Sequence, residues 1–82
     1  MALVRRRVYL TFPGELVREP LVCQMYDELR VQFNLRTASV TDDLGIIGLE
    51  LSGEPDRVEA ALDFFRRRGV RVEPIELDVV AG

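Results

Sequence analysis

The first part of the chain alternates between apolar and polar residues. Positions 8, 10 and 12 are apolar, whereas Arg7 and Thr11 beside them are polar. A period of two residues is typical of a half-buried strand. The pattern predicts a first strand over roughly Val4–Phe12, which the following Pro-Gly pair is expected to end.

A helical spacing of apolar residues comes next. Pro20 suits the first turn of a helix, where its missing N–H leaves no hydrogen bond unmade. After it, apolar side chains recur at intervals of three or four residues, at Val22, Met25, Tyr26 and Leu29. This spacing predicts a first helix of about three turns. No glycine follows it, and we expect the chain to enter a second strand almost directly, at Val31.

The apolar residues of the second strand change parity within the strand. Phe33 and Leu35 share one parity, whereas Ala38 and Val40 have the other. Either a β-bulge resets the register or both faces of the strand are covered. A turn at Asp42-Asp43 then leads into a third strand.

The third strand is predicted over Leu44–Ser52. Ile46 and Ile47 are adjacent, which indicates a central strand with both faces covered. A second apolar sheet face, too apolar to leave in water, is expected from one set of residues: Ala38, Val40, Ile46 and Gly48.

A second helix is predicted to begin at Pro55. Its buried stripe is expected at Val58, Ala61, Leu62 and Phe65, and its end at Gly69. Asp63 precedes Arg67 by four residues, a spacing that favours an ion pair on a helix. A last strand begins near Val70, and Pro74 places it at a sheet edge because proline cannot donate to the ladder.

The element order is therefore β-α-β-β-α-β in one domain covering residues 1–82. It predicts an α+β, ferredoxin-like fold, in which two helices cover one face of a four-stranded antiparallel sheet. The first and third strands are expected in the middle. A chain of this length has a marginal core, which oligomerisation commonly supplements.

Composition narrows the possible functions. The net charge of −3 argues against nucleic acid or anionic lipid as partners, and no apolar run is long enough for a membrane span. All eleven basic residues are arginine, and histidine is absent. Walker A loops, Schiff bases and histidine-dependent catalytic or metal sites are thereby excluded. We expect no enzyme, cofactor or metal.

Cys23 is the one cysteine. It permits no internal disulfide, which fits a reducing cytoplasm, and it is expected to serve packing rather than chemistry. Arg5-Arg6-Arg7 is expected to be the solvated start of a strand.

Asn34 is the main candidate for ligand binding, because its uncharged amide both donates and accepts hydrogen bonds beside the apolar Leu35. The alternative is a strand amide that satisfies nearby backbone. Gly48 lies within a strand, where it could permit close approach by a ligand or merely relieve crowding.

Six segments, in this order and spacing, resemble a known family: Leu10–Gly14, Glu19–Val22, Asn34-Leu35, Gly45–Gly53, Val58–Leu62 and Gly69–Glu73. The resemblance, from about Arg7 to Ile75, is to the NIL domain, the regulatory module that follows the ATPase domain of methionine-type ABC importers. Members of that kind form dimers and bind methionine near the asparagine and the start of the first helix.

The resemblance implies roles for individual residues. Asn34 would hold the polar head of the ligand, and Leu35, Pro20 and Leu21 would line its apolar side. The family is named for an Asn-Ile-Leu run, and here Arg36 replaces its last residue. This cation would either block the pocket or favour a more acidic ligand.

The resemblance thus suggests a cytoplasmic, free-standing sensor of an amino acid such as methionine, acting as a homodimer. A free-standing domain is not expected to inhibit a transporter within its own chain. The alternative is a dimerising adaptor for a protein of transport or sulfur metabolism that binds no ligand.

Overall fold

The computed structural model describes residues 3–75, which form four strands, two α-helices and one short 3₁₀ helix. The elements are β1 (Val4–Pro13), the 3₁₀ helix (Gly14–Leu16), α1 (Leu21–Leu29), β2 (Gln32–Val40), β3 (Leu44–Gly53), α2 (Pro55–Arg67) and β4 (Arg71–Pro74). The strands are antiparallel in the order β2-β3-β1-β4. The predicted ferredoxin-like α+β fold is confirmed, with β1 and β3 central and the proline-containing β4 at an edge.

The core lies between the sheet and the helices. Val8 and Leu10 of β1 and Leu49 and Leu51 of β3 face the helices and are buried. They alternate with exposed or half-buried residues, as a sheet covered on one face requires. Phe65 of α2 is the largest fully buried side chain.

The second helix buries the predicted stripe, and Phe64 is buried beside it. The rings of Phe12, Phe64 and Phe65 meet edge to face, with centroids 6.5 Å apart for Phe12–Phe65 and 5.6 Å for Phe64–Phe65. The expected Asp63–Arg67 pair is wrong: Asp63 Oδ1 lies 3.0 Å from Nη1 of Arg66, three residues on. Spacings of three and four both place side chains on one helix face.

The first helix is rotated relative to the predicted stripe. Leu21 and Met25 are its buried residues, and Tyr26 is 39% exposed. Its end needs a left-handed residue, which here is Arg30 (φ 55°), whose N–H donates to the Tyr26 carbonyl at 2.8 Å. The Arg30 guanidinium lies 5.4 Å from the centroid of the Tyr26 ring. This is a favourable cation–π contact.

A β-bulge interrupts β2, which was one of the two alternatives that the sequence left open. The register against β3 shifts between Leu35 and Thr37, so Arg36 has no partner residue. Beyond the bulge, Ala38 pairs with Ile47 and Val40 with Gly45. The predicted second apolar face is therefore wrong, because the bulge returns Ala38 and Val40 to the helix side while Ile46 and Gly48 remain opposite.

The sheet face without helices, here called the open face, is largely polar. Cross-strand rows from the register are Gln32-Ser52-Arg5, Asn34-Glu50-Arg7, Thr37-Gly48-Tyr9-Glu73 and Ser39-Ile46-Thr11-Arg71. Charged, amide and hydroxyl side chains occupy the first two rows. Tyr9 and Ile46, each about two-fifths exposed, lie in the other two.

Candidate ligand site

An apolar cavity of about 200 Å³ opens between the start of α1 and the adjoining ends of β2 and β3. Its lining residues are Phe12, Val17, Glu19, Pro20, Leu21, Val22, Cys23, Val40, Gly45 and Ile47. Glu19 is the charged residue among them, and the others offer carbon or sulfur. Such a lining favours an apolar side chain with a polar group at the rim.

The polar end of the cavity is the N-terminus of α1. Pro20 precedes the helix, and the Leu21 N–H already donates to the Glu19 carbonyl at 2.8 Å. The first N–H groups of a helix lack intrahelical acceptors and favour negative charge. Val22 and Cys23 belong to this first turn and line the cavity. A carboxylate is therefore favoured at the helix start and an ammonium group near Glu19.

Gly45 leaves the space that becomes the cavity. A Cβ atom at this position would lie 3.6 Å from Phe12 Cβ, 3.7 Å from Val17 Cγ2 and 3.8 Å from Val40 Cγ2. These are ordinary van der Waals contacts, and a small side chain would fit. Any larger one would extend between those three residues, into the cavity.

The structure divides the predicted site residues between two faces. Pro20 and Leu21 line the cavity. Leu35 pairs with the buried Leu49 on the helix side but is 53% exposed and outside the cavity lining. Asn34 pairs with Glu50 on the open face, so the sheet separates its amide from the cavity of its own chain.

Gly48 also lies on the open face, where its space is taken by the chain itself. A Cβ atom there would come within 2.5 Å of Thr37 Oγ1 and 3.4 Å of Tyr9 Cε1. The absence of a side chain at Gly48 thus accommodates Thr37, the first residue after the bulge, which matches the crowding alternative.

Arg36 does not block the cavity, because it is not one of the lining residues. It is an exposed residue of β2. Its charge acts on Glu50 of the open face. A hydrogen bond from Arg7 Nε, 2.9 Å from Glu50 Oε2, is the main reason that the pKa of Glu50 is lowered. The charges of Arg7, Arg36 and Arg5 add to this lowering, while partial burial opposes it.

Removing the Arg7 guanidinium should raise the pKa of Glu50. A lowered folded-state pKa stabilises the fold above the unfolded-state pKa, and this contribution is lost as pH falls through the folded value. We therefore expect Arg7→Gln to lose less stability on acidification than the wild type does. NMR titration of the Glu50 carboxyl carbon checks the pKa, and Arg67→Gln on α2 is the matched control. An unchanged Glu50 pKa in Arg7→Gln would contradict the assignment.

Several cavity residues were missed from the sequence. Val40 was assigned to the wrong face, and Glu19 and Gly45 belong to segments that carried the resemblance without being given a role. Cys23 was expected to be packed, but it is exposed on α1. Cys23 follows Val22, which is partly buried. The sequence alone did not indicate that Cys23 lies on the exposed side of the helix.

Neither helix within residues 3–75 is long and apolar enough to cross a membrane. In the same part of the chain, no three acidic, cysteine or histidine side chains are grouped as a metal site would need.

Comparison with known proteins agrees with this fold. The C-terminal domain of an ABC transporter ATP-binding protein from Enterococcus faecalis superposes with a TM-score of 0.75 at 23% identity, covering 89% of this chain and 86% of that one. The de novo designed protein Foldit4 gives 0.59 at 13% identity, covering 90% and 94%. None of the curated proteins matches in sequence. The family model of the NIL domain matches residues 6–74, and the chain therefore belongs to the NIL domain family.

Proposed function

We propose that this domain is a regulatory module that binds an amino acid with an unbranched apolar side chain, such as methionine. The apolar cavity at the N-terminus of α1 carries the proposal. At about 200 Å³ it is smaller than the cavities that hold drug-sized ligands, roughly 300 Å³ and above, and suits a single amino acid. A flexible thioether fits an irregular apolar lining well.

A role in the control of transport rests on the family. Membership of the NIL family supports a regulatory rather than a catalytic module. The similarity to a domain of an ABC transporter ATP-binding protein points to a transport-associated partner. A ligand that binds the folded state alone also stabilises it, so binding and stability are expected to rise together.

The second element of the proposal is a homodimer formed along β2. All nine residues of this edge strand are exposed, and Phe33, Leu35 and Val40 add apolar surface to it. An unpaired edge of this kind is a template for pairing with another strand. Since Val40 also borders the cavity, a second copy docked along β2 would lie beside the cavity mouth. The assignment of Asn34 to the ligand rests on the family resemblance.

Asn34→Ala is expected to abolish methionine binding while changing the free energy of unfolding by less than about 0.5 kcal/mol, because the side chain is exposed. Calorimetric titration and urea unfolding measure the two effects. Ser39→Ala, on the same strand and face, is the matched control and should alter neither. A variant that unfolds would make Asn34 structural, and one that binds normally would show that the cavity acts without it.

A second candidate function follows from the same strand. If β2 and its apolar side chains receive a different protein, the domain is an adaptor and needs no ligand. Light scattering separates the two: a dimer supports pairing between copies, whereas a monomer that binds a stoichiometric protein partner and no amino acid supports the adaptor.

A further inference from the structure

A second groove, here called the aromatic groove, lies on the helix side of the sheet between α1 and the edge strand β2. Its volume is about 370 Å³, and its lining residues are Cys23, Gln24, Tyr26, Asp27 and Phe33. The first four belong to α1, where Cys23 shares one helix face with Tyr26 and Asp27, three and four residues on. Phe33 belongs to β2. All five residues are exposed, so the groove is open to solvent.

Two aromatic rings form one corner of this groove. The centroids of Tyr26 and Phe33 lie 6.1 Å apart with the ring planes at 73°, and each side chain is nearly two-fifths exposed. The face of an aromatic ring carries partial negative charge and attracts cations. The Tyr26 ring already attracts the Arg30 guanidinium, 5.4 Å from its centroid. Arg30 is not a lining residue and therefore does not fill the groove.

A carboxylate without a cationic partner borders the same groove. Asp27 belongs to none of the ion pairs formed within residues 3–75. The amide oxygen of Gln24 adds a neutral acceptor. A guanidinium suits this set of groups, because its plane stacks on an aromatic ring while its N–H groups donate to a carboxylate. A quaternary ammonium would have no hydrogen bond to give to Asp27.

We propose that the aromatic groove binds an arginine side chain of a partner protein. Small-molecule sites bury most of their ligand, which an open groove cannot do, whereas an arginine is held in place by the chain that carries it. The net charge of −3 favours a basic partner. The proposal gives a partner chemistry to the adaptor function above, and it does not depend on an amino acid in the apolar cavity.

The position of the groove beside β2 indicates how the arginine arrives. An unpaired edge strand can receive an extended segment of another protein. Phe33 pairs with the buried Leu51, which places its ring on the helix side of the sheet. Neighbouring strands lie about 4.8 Å apart, and their side chains alternate between the two faces. A helix-side arginine opposite Phe33 would therefore enter the groove.

The test is an NMR titration of the full chain with an extended pentapeptide, acetyl-Thr-Val-Arg-Val-Thr-amide. Saturable shifts are expected at the amides of Tyr26, Asp27 and Phe33. Replacing the central arginine by lysine, which keeps the charge, or by citrulline, which keeps the shape, should each weaken binding by about tenfold. Equal binding of the three peptides, or no saturable shift, would overturn the proposal. Methionine binding in the apolar cavity would be unaffected by that result.

A smaller probe distinguishes a partner protein from a small ligand. N-acetylarginine amide carries the guanidinium without a strand and should bind at least about tenfold more weakly than the arginine pentapeptide. Equal affinity would assign the groove to a small guanidino compound and overturn the partner protein.

Variants separate a built site from general charge attraction. Asp27→Asn should weaken binding of the arginine peptide by about tenfold, because a charge-assisted hydrogen bond becomes a neutral one. Phe33→Leu, which keeps an apolar side chain but removes a ring, should weaken it by about fivefold. Glu28→Gln makes the same charge change as Asp27→Asn, one residue on and outside the groove lining, and should alter the affinity by less than about twofold. Equal weakening in Asp27→Asn and Glu28→Gln would overturn the proposal.

Discussion

Phe65→Ala is expected to lower the free energy of unfolding by about 3–5 kcal/mol. Phe65 is fully buried, and its ring meets Phe12 of β1 and Phe64 of α2 edge to face. The substitution removes the largest buried side chain from the centre of a small core, and neighbours from both the sheet and the helix can close the gap only partly. Since domains of this size are stable by only about 4–12 kcal/mol, the substitution should remove a large share of the total stability.

Urea unfolding followed by circular dichroism measures this loss. Phe33→Ala is the matched control, because its ring is 38% exposed at the β2 edge and contacts Tyr26. It should cost about 1 kcal/mol, the scale of one aromatic contact at an exposed site. Equal losses in the two variants would contradict the central place given to Phe65 in the core.

Gly45→Val is expected to abolish amino-acid binding without unfolding the domain. The Cβ atom fits at ordinary contact distances, but the two methyl groups would occupy the cavity between Phe12, Val17 and Val40. Because these methyl groups take the space that the ligand needs, binding should weaken by at least about a hundredfold, or ~2.7 kcal/mol. Valine is favoured in strands, so the stability of β3 should be unchanged or higher.

Calorimetric titration with L-methionine and a thermal melt of the same sample check both parts of this prediction. Ser39→Val is the control, since it adds a similar side chain to an exposed position of the open face, away from the cavity. Wild-type affinity in Gly45→Val would place the ligand elsewhere, and loss of binding in Ser39→Val would implicate the open face instead.

The element order could be predicted from local patterns because each helix and strand carries its own signal. Alternation specified β1, and the proline-initiated stripe of α2 was recovered in full. The strand order agreed with the fold that the pattern indicated. A left-handed arginine at position 30 could not be foreseen, because glycine is the residue ordinarily found at such an end.

The sidedness of β2 was harder to predict. A bulge was one of two alternatives, but its consequence for Ala38 and Val40 depends on pairing with Ile47 and Gly45 of β3, which the strand's own sequence does not contain. One inserted residue exchanges the faces of everything after it. Because of this error, the sequence analysis placed Val40 on the sheet face opposite the cavity that Val40 lines.

The candidate site was predicted only in part for a similar reason. Pro20 and Leu21 were named through the family resemblance, which implies a ligand near the start of the first helix. Apart from Val22 and Cys23 of α1, the remaining lining comes from β1, β2, β3 and the segment before α1, and these meet only in the folded chain. Asn34 was grouped with the helix start because of the family resemblance, whereas within one chain the sheet stands between them.

Calorimetric titration of the wild-type protein with L-methionine shows whether the cavity at the start of α1 binds an amino acid. L-norleucine, which lacks the thioether but keeps the shape, and L-glutamate, which carries a second negative charge, should be run beside it. We expect micromolar binding of methionine at one site per chain, comparable binding of norleucine, and none of glutamate. No heat with methionine or norleucine at millimolar concentration would show that the cavity binds no such amino acid.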